Sequence, residues 1–402
     1  MTSTTSNPKY TIIIPTRNRE KYLRFAVAGV LENKRDDVEL IISDNHSQDD
    51  TPAYLETIND PRVRFIRPVT ELAMSSHYEF ALSHARGEWV TIIGDDDAIM
   101  PYLFDRLDEL IAEFPQVSIV SSERAYYFWE GCQDLYGESV VVYRTGIKRA
   151  LRSTKRDLLA ALCGLRSCFD LPQIYTSCIV KRSVVQKIKI KSKGRFYHSI
   201  IPDMYSAVAM SLAEKNYLRV EEPLFWTGTS NASMGRSDRI YKDSALQSWE
   251  NSNELPPMRL HPRISQELHI LGIGSLYLYE ALLNCPYITK FWQRKVISII
   301  VYADVLRKLR WKLGRASFKK NHFEKKVFET SKSAGVSVTV LMLAKIALNT
   351  LDAFRWAVNL PVRVLRKINR FLKPNTLISS DRRRYKTISD ASAEIVSLCI
   401  KR

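Results

Sequence analysis

Trp89-Val90-Thr91-Ile92-Ile93-Gly94-Asp95-Asp96-Asp97 is a short apolar run that ends in three adjacent carboxylates. Aromatic and β-branched residues closed off by a Gly-Asp turn predict a strand buried on both faces. Three carboxylates in one turn repel one another, so they demand a cation, hydrogen-bond donors or solvent around them. Just beyond, Pro101 opens a predicted helix with Leu103, Leu107, Leu110 and Ile111 on one face; proline is tolerated in a first helical turn. Upstream, the same alternation recurs. Lys9 to Thr16 (KYTIIIPT) and Val38 to Ser43 (VELIIS) read as buried strands and Val63 to Ile66 as a third. Leu23, Ala26, Val27, Val30 and Leu31 repeat at helical spacing, Ser76 to Ala85 is helix-like, and Val117 to Ser122 closes the series.

Strands separated by helices of this length predict an α/β fold with a mostly parallel sheet flanked by helices. In such sheets ligands bind beyond the carboxyl ends of the strands. Arg17-Asn18-Arg19, Asp44-Asn45 and Asp95-Asp96-Asp97 each follow a predicted strand, so three polar clusters are expected on one edge. The acidic run suits a hard divalent ion, Mn²⁺ or Mg²⁺, that keeps positions open for phosphate oxygens. Its bland reading is a solvated turn that caps the next helix.

The stretch from Tyr10 to Pro101 resembles the family 2 glycosyltransferases of the GT-A fold. The matching pieces are Thr11-Ile12-Ile13-Ile14-Pro15-Thr16-Arg17-Asn18-Arg19, then Ile41-Ile42-Ser43-Asp44-Asn45-His46-Ser47-Gln48-Asp49-Asp50-Thr51, then Ala85-Arg86-Gly87-Glu88-Trp89 and Gly94-Asp95-Asp96-Asp97. The resemblance implies a Rossmann-like sheet that binds a nucleoside-diphosphate sugar, a UDP-sugar favoured. It carries base and ribose contacts to Thr16, Arg17, Asn18 and Asp44, sugar-nucleotide contacts to Asp95 and Asp96, and the metal to Asp96 and Asp97. The family's usual spelling is D-x-D, and Gly94 stands here where one common version has Asp. Where the family often has Asn, this chain has His77.

An inverting member needs a carboxylate base on the acceptor side. Asp203, in Ile201-Pro202-Asp203-Met204-Tyr205, matches the place of that residue; its bland reading is a helix cap. His198 and Glu221-Glu222 are weaker candidates. Val220 to Trp226 reads as an edge strand. Gly228 to Gly235 reads as a small-residue loop that either closes over diphosphate or acceptor or is a plain connection.

From His261 on the chain reads as helical, which divides it into residues 1–260, a sugar-nucleotide domain, and 261–402, a basic helical region. The net charge is +17 overall, and nearly all of it lies between Lys290 and Lys373. Arg363, Arg366, Arg370 and Lys373 fall three or four apart, with Leu365, Ile368 and Leu372 on another face. That pattern suits a membrane surface, a solvated helical face, or nucleic acid; with no nucleic-acid fold motif, nucleic acid is the least expected partner. The polar N-terminus lacks an apolar leader, the six cysteines form no CxxC pair, and no uncharged run reaches membrane-spanning length. The expectation is therefore a cytoplasmic, peripheral protein at the inner face of the cell membrane. It would transfer a sugar, with metal and inversion, to a glycan or lipid-linked saccharide in surface polysaccharide assembly. The rival readings are a nucleotidyltransferase, whose Gly-rich phosphate loop is missing at Pro15-Thr16-Arg17-Asn18, and a membrane scaffold that binds sugar-nucleotides without turnover.

Overall fold

The computed structural model describes residues 8–132, 141–144, 146, 148–231, 233, 260–269, 271–313, 317–372, 376–379 and 385–393. In chain order the elements are β1 (Tyr10–Thr16), α1 (Glu20–Leu31), β2 (Val38–Asp44), α2 (Thr51–Glu56), β3 (Val63–Ile66), α3 (Met74–Ser83), β4 (Trp89–Ile92), β5 (Ala98–Ile99) and α4 (Leu103–Glu113). They continue with β6 (Ile119–Phe128), β7 (Val141–Arg144), β8 (Arg149–Ser153), α5 (Thr154–Leu162), β9 (Cys178–Lys181), α6 (Arg182–Lys191), α7 (Pro202–Ala213) and β10 (Asn216–Thr229). The last are α8 (Gln266–His269), α9 (Gly274–Asn284), α10 (Phe291–Leu313), α11 (Ser317–Ser333), α12 (Val338–Leu372) and β11 (Thr376–Ser379).

The expected α/β architecture, a sheet flanked by helices with a helical C-terminal region, is what forms. β3, β2, β1 and β4 are parallel neighbours in that order. The sheet then turns mixed, because β9 runs antiparallel between β4 and β6. Every residue of β1 and β2 is buried, as a strand covered on both faces requires. Side chains alternate across the sheet. Ile12 and Ile14 join Leu23, Val27 and Val30 of α1 and Phe104 and Leu107 of α4 on one face. Ile13 and Ile41 join Ala81 and Leu82 of α3 on the other.

That second core runs on past residue 260 without a break. Leu276 and Tyr279 of α9, Val301 and Val305 of α10, and Leu341 and Leu348 of α12 belong to it. The C-terminal stretch also returns to the sheet, where β11 pairs with β7. The basic face expected at Arg363, Arg366 and Arg370, and the apolar face at Leu365, Ile368 and Leu372, involve side chains outside the described residues, as does Lys373.

β10 differs from the expected edge strand. It is fourteen residues long and paired to β6, β8 and β5. Register shifts around Pro223 let the strand bend there, and a bulge is where proline fits inside a sheet.

Candidate active site

β1 lies between β2 and β4, so its end meets both neighbours. Thr16 and Asp44 are register partners as the last residues of β1 and β2, and the acidic run follows β4. Thr16 Oγ1 donates to Asp95 Oδ2 at 2.9 Å. Arg19, missed as a site residue in the sequence, donates from Nη1 to Asp95 Oδ1 at 3.1 Å and stands 3.8 Å from Asp96 Oδ2. Of the three clusters expected at the strand ends, those after β1 and β4 meet at these atoms.

The three aspartates have three different surroundings. Asp97 is turned into the fold. Its Oδ2 accepts from Gly94 N–H (2.6 Å) and Thr176 Oγ1 (2.5 Å), and its Oδ1 accepts from Gly228 N–H at the end of β10 (2.7 Å). Asp96 Oδ2 accepts from the hydroxyls of Ser230 and Ser233, at 2.7 and 2.5 Å, and the Asp96 carbonyl accepts the indole N–H of Trp129 at 2.9 Å. Ser230 and Ser233 lie in the small-residue loop read at 228–235, of which positions 232, 234 and 235 lie outside the described residues. The structure also accounts for Gly94. A Cβ there would sit 2.8 Å from both Asp97 Oδ2 and the Tyr175 hydroxyl, so the side chain of a D-x-D spelling would have to displace both.

Burial raises the Asp95 carboxyl to about 6, with Arg19 pulling it back down and Asp96 pushing it further up. Burial, and then Asp96, drive Asp97 upward as well, against its three donors. Three carboxylates share this turn with one nearby guanidinium, that of Arg19, a setting that suits a cation. Among the described residues no three His, Cys, Asp or Glu side chains form a ready-made metal cluster. Mg²⁺-type ions take one or two protein carboxylates and complete their shell with phosphate oxygens and water. Asp96, an oxygen donor between Asp95 and Asp97 and held by two hydroxyls, fits that demand. Asp97 accepts three N–H and O–H donors of the fold on its two oxygens, so it is the more tightly held of the two.

The loops after β1 and β2 are laced together. Asn18 adopts a left-handed conformation (φ 55°); its N–H donates to Ser47 Oγ and its Oδ1 accepts from Gln48 N–H. Asp44 Oδ1 accepts the N–H of Ser47 at 3.0 Å, and Arg67 Nε is 3.6 Å from its Oδ2. Arg17 points outward to Glu71 (2.8 Å). His77 is a core residue: its Nε2 pairs with Ser43 Oγ at 2.8 Å, and burial depresses its ring to about 4, which keeps it neutral and ties α3 to β2.

Asp203 stands in the first turn of α7, partly buried, with its Oδ1 accepting the N–H of Met204. Burial raises the Tyr78 hydroxyl first, followed by the charges of Asp203, Asp95 and Asp97. One phenol therefore feels both the candidate base and the acidic turn. Tyr175 lies tilted beside Tyr78, ring centres 6.4 Å apart. Neither tyrosine was legible as a site residue, because helical or strand spacing does not distinguish a cleft-lining ring from a core ring. The weaker candidates are tied elsewhere: His198 Nε2 pairs with the Arg195 carbonyl, and Glu222 pairs with Arg106 at 2.8 Å.

Comparison with known proteins finds a likeness over part of the chain. Residues 11–167 match the sequence model described as glycosyl transferase family 2. A GalNAc(5)-diNAcBac-PP-undecaprenol β-1,3-glucosyltransferase of Campylobacter jejuni is 31% identical over 96 residues, 23% of this chain and 31% of that one. A putative colanic acid biosynthesis glycosyl transferase of Escherichia coli is 31% identical over 114 residues, 28% of this chain and 40% of that one. This chain thus spans less than half the length of either curated relative. Among solved structures, residues 1–349 of Staphylococcus aureus TarS with UDP-GlcNAc align at 15% identity over 81% of this chain and 92% of that one, TM-score 0.45. A Pyrobaculum calidifontis mannosyltransferase with GDP-Man and Mn²⁺ aligns at 16% identity over 85% of this chain and 87% of that one, TM-score 0.39. Residues 11–167, which carry β1, β2, β4 and the acidic turn, are thus similar to the family 2 glycosyltransferases.

Proposed function

We propose that the chain is an inverting, metal-assisted glycosyltransferase. It moves a sugar from a nucleoside diphosphate, a UDP-sugar in the favoured case, to a hydroxyl of a lipid-linked saccharide during surface polysaccharide assembly. The observation that carries this reading is the contact of Thr16 and Arg19 with Asp95 at the joined ends of β1 and β4, where a doubly wound sheet takes its ligand. The printed name of the Campylobacter relative, with its diphospho-undecaprenol carrier, supports a lipid-linked acceptor and a seat at the inner membrane face.

In this reading Asp44, Thr16, Asn18 and Arg17 hold the nucleoside. Asn18 and Asp44 fix the two loops against each other. Arg17 swings from Glu71 at little cost, since an exposed ion pair contributes about 0–1 kcal/mol. Asp95 and Asp96 receive the ribose and diphosphate side, and Arg19 orients Asp95. Mn²⁺ or Mg²⁺ on Asp96 would neutralise charge on the departing diphosphate. Asp203 accepts the proton of the acceptor hydroxyl as its oxygen bonds the anomeric carbon; the bond to the diphosphate oxygen breaks with its electron pair, and the centre inverts.

The test is release of UDP from a panel of UDP-sugars by the full chain with Mn²⁺ and lipid-linked saccharide acceptors, repeated with Asp96→Ala. Transfer should fall at least about 100-fold, the scale of removing a transition-state charge contact. Full activity in that variant would remove the Asp96 assignment. Donor binding with no transfer to any acceptor would point to a sugar-nucleotide-binding scaffold instead.

A further inference from the structure

Helix α12 has an apolar side that no described residue covers. Its inward side is conventional: Leu341 and Leu348 are buried in the core, and Asp352 pairs with Arg307 of α10 at 2.9 Å. Its outward side reverses the usual pattern. Leu343, Ala347, Leu351 and Phe354 recur every three or four residues and form one stripe, with Ile346 beside it. Leu343, Ile346 and Phe354 are 63%, 58% and 67% exposed. At 100° per residue, Lys345 and Asp352, the charged residues between Val338 and Phe354, fall with Leu341 and Leu348 on the inward half. The outward stripe is therefore free of charge over about 25 Å of helix.

Two further observations say what this side meets. Exposed aromatic rings also occur elsewhere in the helical region, Phe291 and Trp292 at the start of α10 beside Lys290 and Lys295 in sequence, and Trp356 on α12 on the side of Asp352. Tryptophan favours the boundary between hydrocarbon and headgroups. Between Lys290 and Lys373 stand 20 basic and 4 acidic residues. That concentration repels a second copy of the same chain and attracts an anionic surface. No single described helix is long and apolar enough to cross a bilayer, and the bent pair Lys320–Ser333 and Val338–Trp356 passes that test only together; a charge-free stripe on one side of α12 suits a helix lying in the interface.

We infer that the outward side of α12, centred on Leu343, Ile346, Leu351 and Phe354, inserts into the headgroup layer of an anionic membrane. Basic residues around it bind the lipid phosphates. This deepens the proposed work on a lipid-linked acceptor, and it supplies the face by which the enzyme would reach one.

The experiment is sedimentation of the full chain with vesicles of phosphatidylglycerol and phosphatidylethanolamine, compared with phosphatidylcholine alone. Binding should be at least tenfold tighter to the anionic vesicles. Leu343→Glu/Phe354→Glu should reduce it at least tenfold while the thermal shift given by UDP and Mn²⁺ stays unchanged. If that pair unfolds the helix, Leu343→Ser/Ile346→Ser carries the same expectation. Binding that is absent in the wild type, or equal in a folded variant, overturns the inference. So does a wild-type dimer that the variants make monomeric, because the stripe would then cover itself. Donor binding is scored separately: its failure with intact vesicle binding would count against the glycosyltransferase reading and leave the membrane face standing.

Discussion

Asp97 accepts the backbone N–H of Gly228, 131 residues further along the chain, at 2.7 Å. With Gly94 and Thr176 on its other oxygen, this carboxylate clamps the turn after β4 to β10 and to the segment before β9. Asp97→Asn keeps the size and sets an amide N–H against donors that have lost their acceptor. An unpaired buried group costs about 1–3 kcal/mol, and several donors are affected here. The expected loss is about 2–4 kcal/mol in urea denaturation, with little change in the metal dependence of whatever activity remains. A variant as stable as wild type would show that the clamp is not formed.

Gly228 makes the companion case. A Cβ at this position would lie 1.6 Å from the Asp96 carbonyl oxygen, which is backbone and cannot rotate away. Gly228→Ala must push β10 off the acidic turn and carry Ser230 and Ser233 from Asp96. Overpacking of this kind costs about 1–3 kcal/mol. Donor binding should weaken more than stability, read as the loss of the UDP–Mn²⁺ thermal shift in a chain that still unfolds cooperatively.

Asp203→Asn tests the base. General-base catalysis contributes about 10²–10⁴-fold, so transfer should fall by that factor with donor affinity unchanged. The amide still accepts from Met204 N–H, so a residue that only capped α7 would lose little. Near-normal turnover in Asp203→Asn would return it to the capping role.

Much of this site could be read before any coordinates, and the reason is local. β1, β2 and β4 are apolar β-branched runs because both faces are buried, and each run ends in its polar group. What escaped the reading depends on distant chain or on one dihedral. Nothing in Arg17-Asn18-Arg19 says which arginine turns inward. The left-handed Asn18 between them settles it, sending Arg17 to Glu71 and Arg19 to Asp95. Ser230 and Ser233 lie more than 130 residues from Asp96. β10 read as an edge because bulges at Pro223 interrupt its alternation, although it is paired on both sides.

The loop ahead of Asp203 is held from the helical region. Glu280 of α9 is fully buried; it accepts from the Ser199 hydroxyl and, at 2.6 Å, from Asn284 Nδ2. Burial raises its carboxyl to about 7, with Ser199 and Asn284 pulling it back. A carboxyl raised in the folded state favours folding at acid pH and loses that contribution as pH rises through about 7. From pH 6 to pH 7 the loss is about 1 kcal/mol. Glu280→Gln does not titrate, so its stability relative to wild type should improve by that amount over the same interval in paired urea titrations. A difference independent of pH would mean that Glu280 is already ionised in the fold.

The C-terminal return braces the acidic turn from behind. Tyr385, Ile388 and Ala391 pack with Trp226, Tyr127 and Trp129 and with Ala98 and Met100, which directly follow the aspartates. Tyr127 Oη donates to the Tyr385 carbonyl at 3.2 Å, and Trp226 Nε1 to Ser392 Oγ at 2.8 Å. Trp129, in the same cluster, holds the Asp96 carbonyl. Ending the chain at residue 384 uncovers two large side chains' worth of packing, at about 1.5–3 kcal/mol each, and leaves the Trp226 indole N–H without its acceptor. The truncated protein should lose at least about 3 kcal/mol and bind UDP with Mn²⁺ several-fold more weakly by titration calorimetry. Trp129→Phe keeps the packing and removes one hydrogen bond, about 1 kcal/mol, so it should weaken the nucleotide with a smaller loss of stability. If truncation spares donor affinity while Trp129→Phe reduces it, Trp129 acts on Asp96 without help from the C-terminal segment.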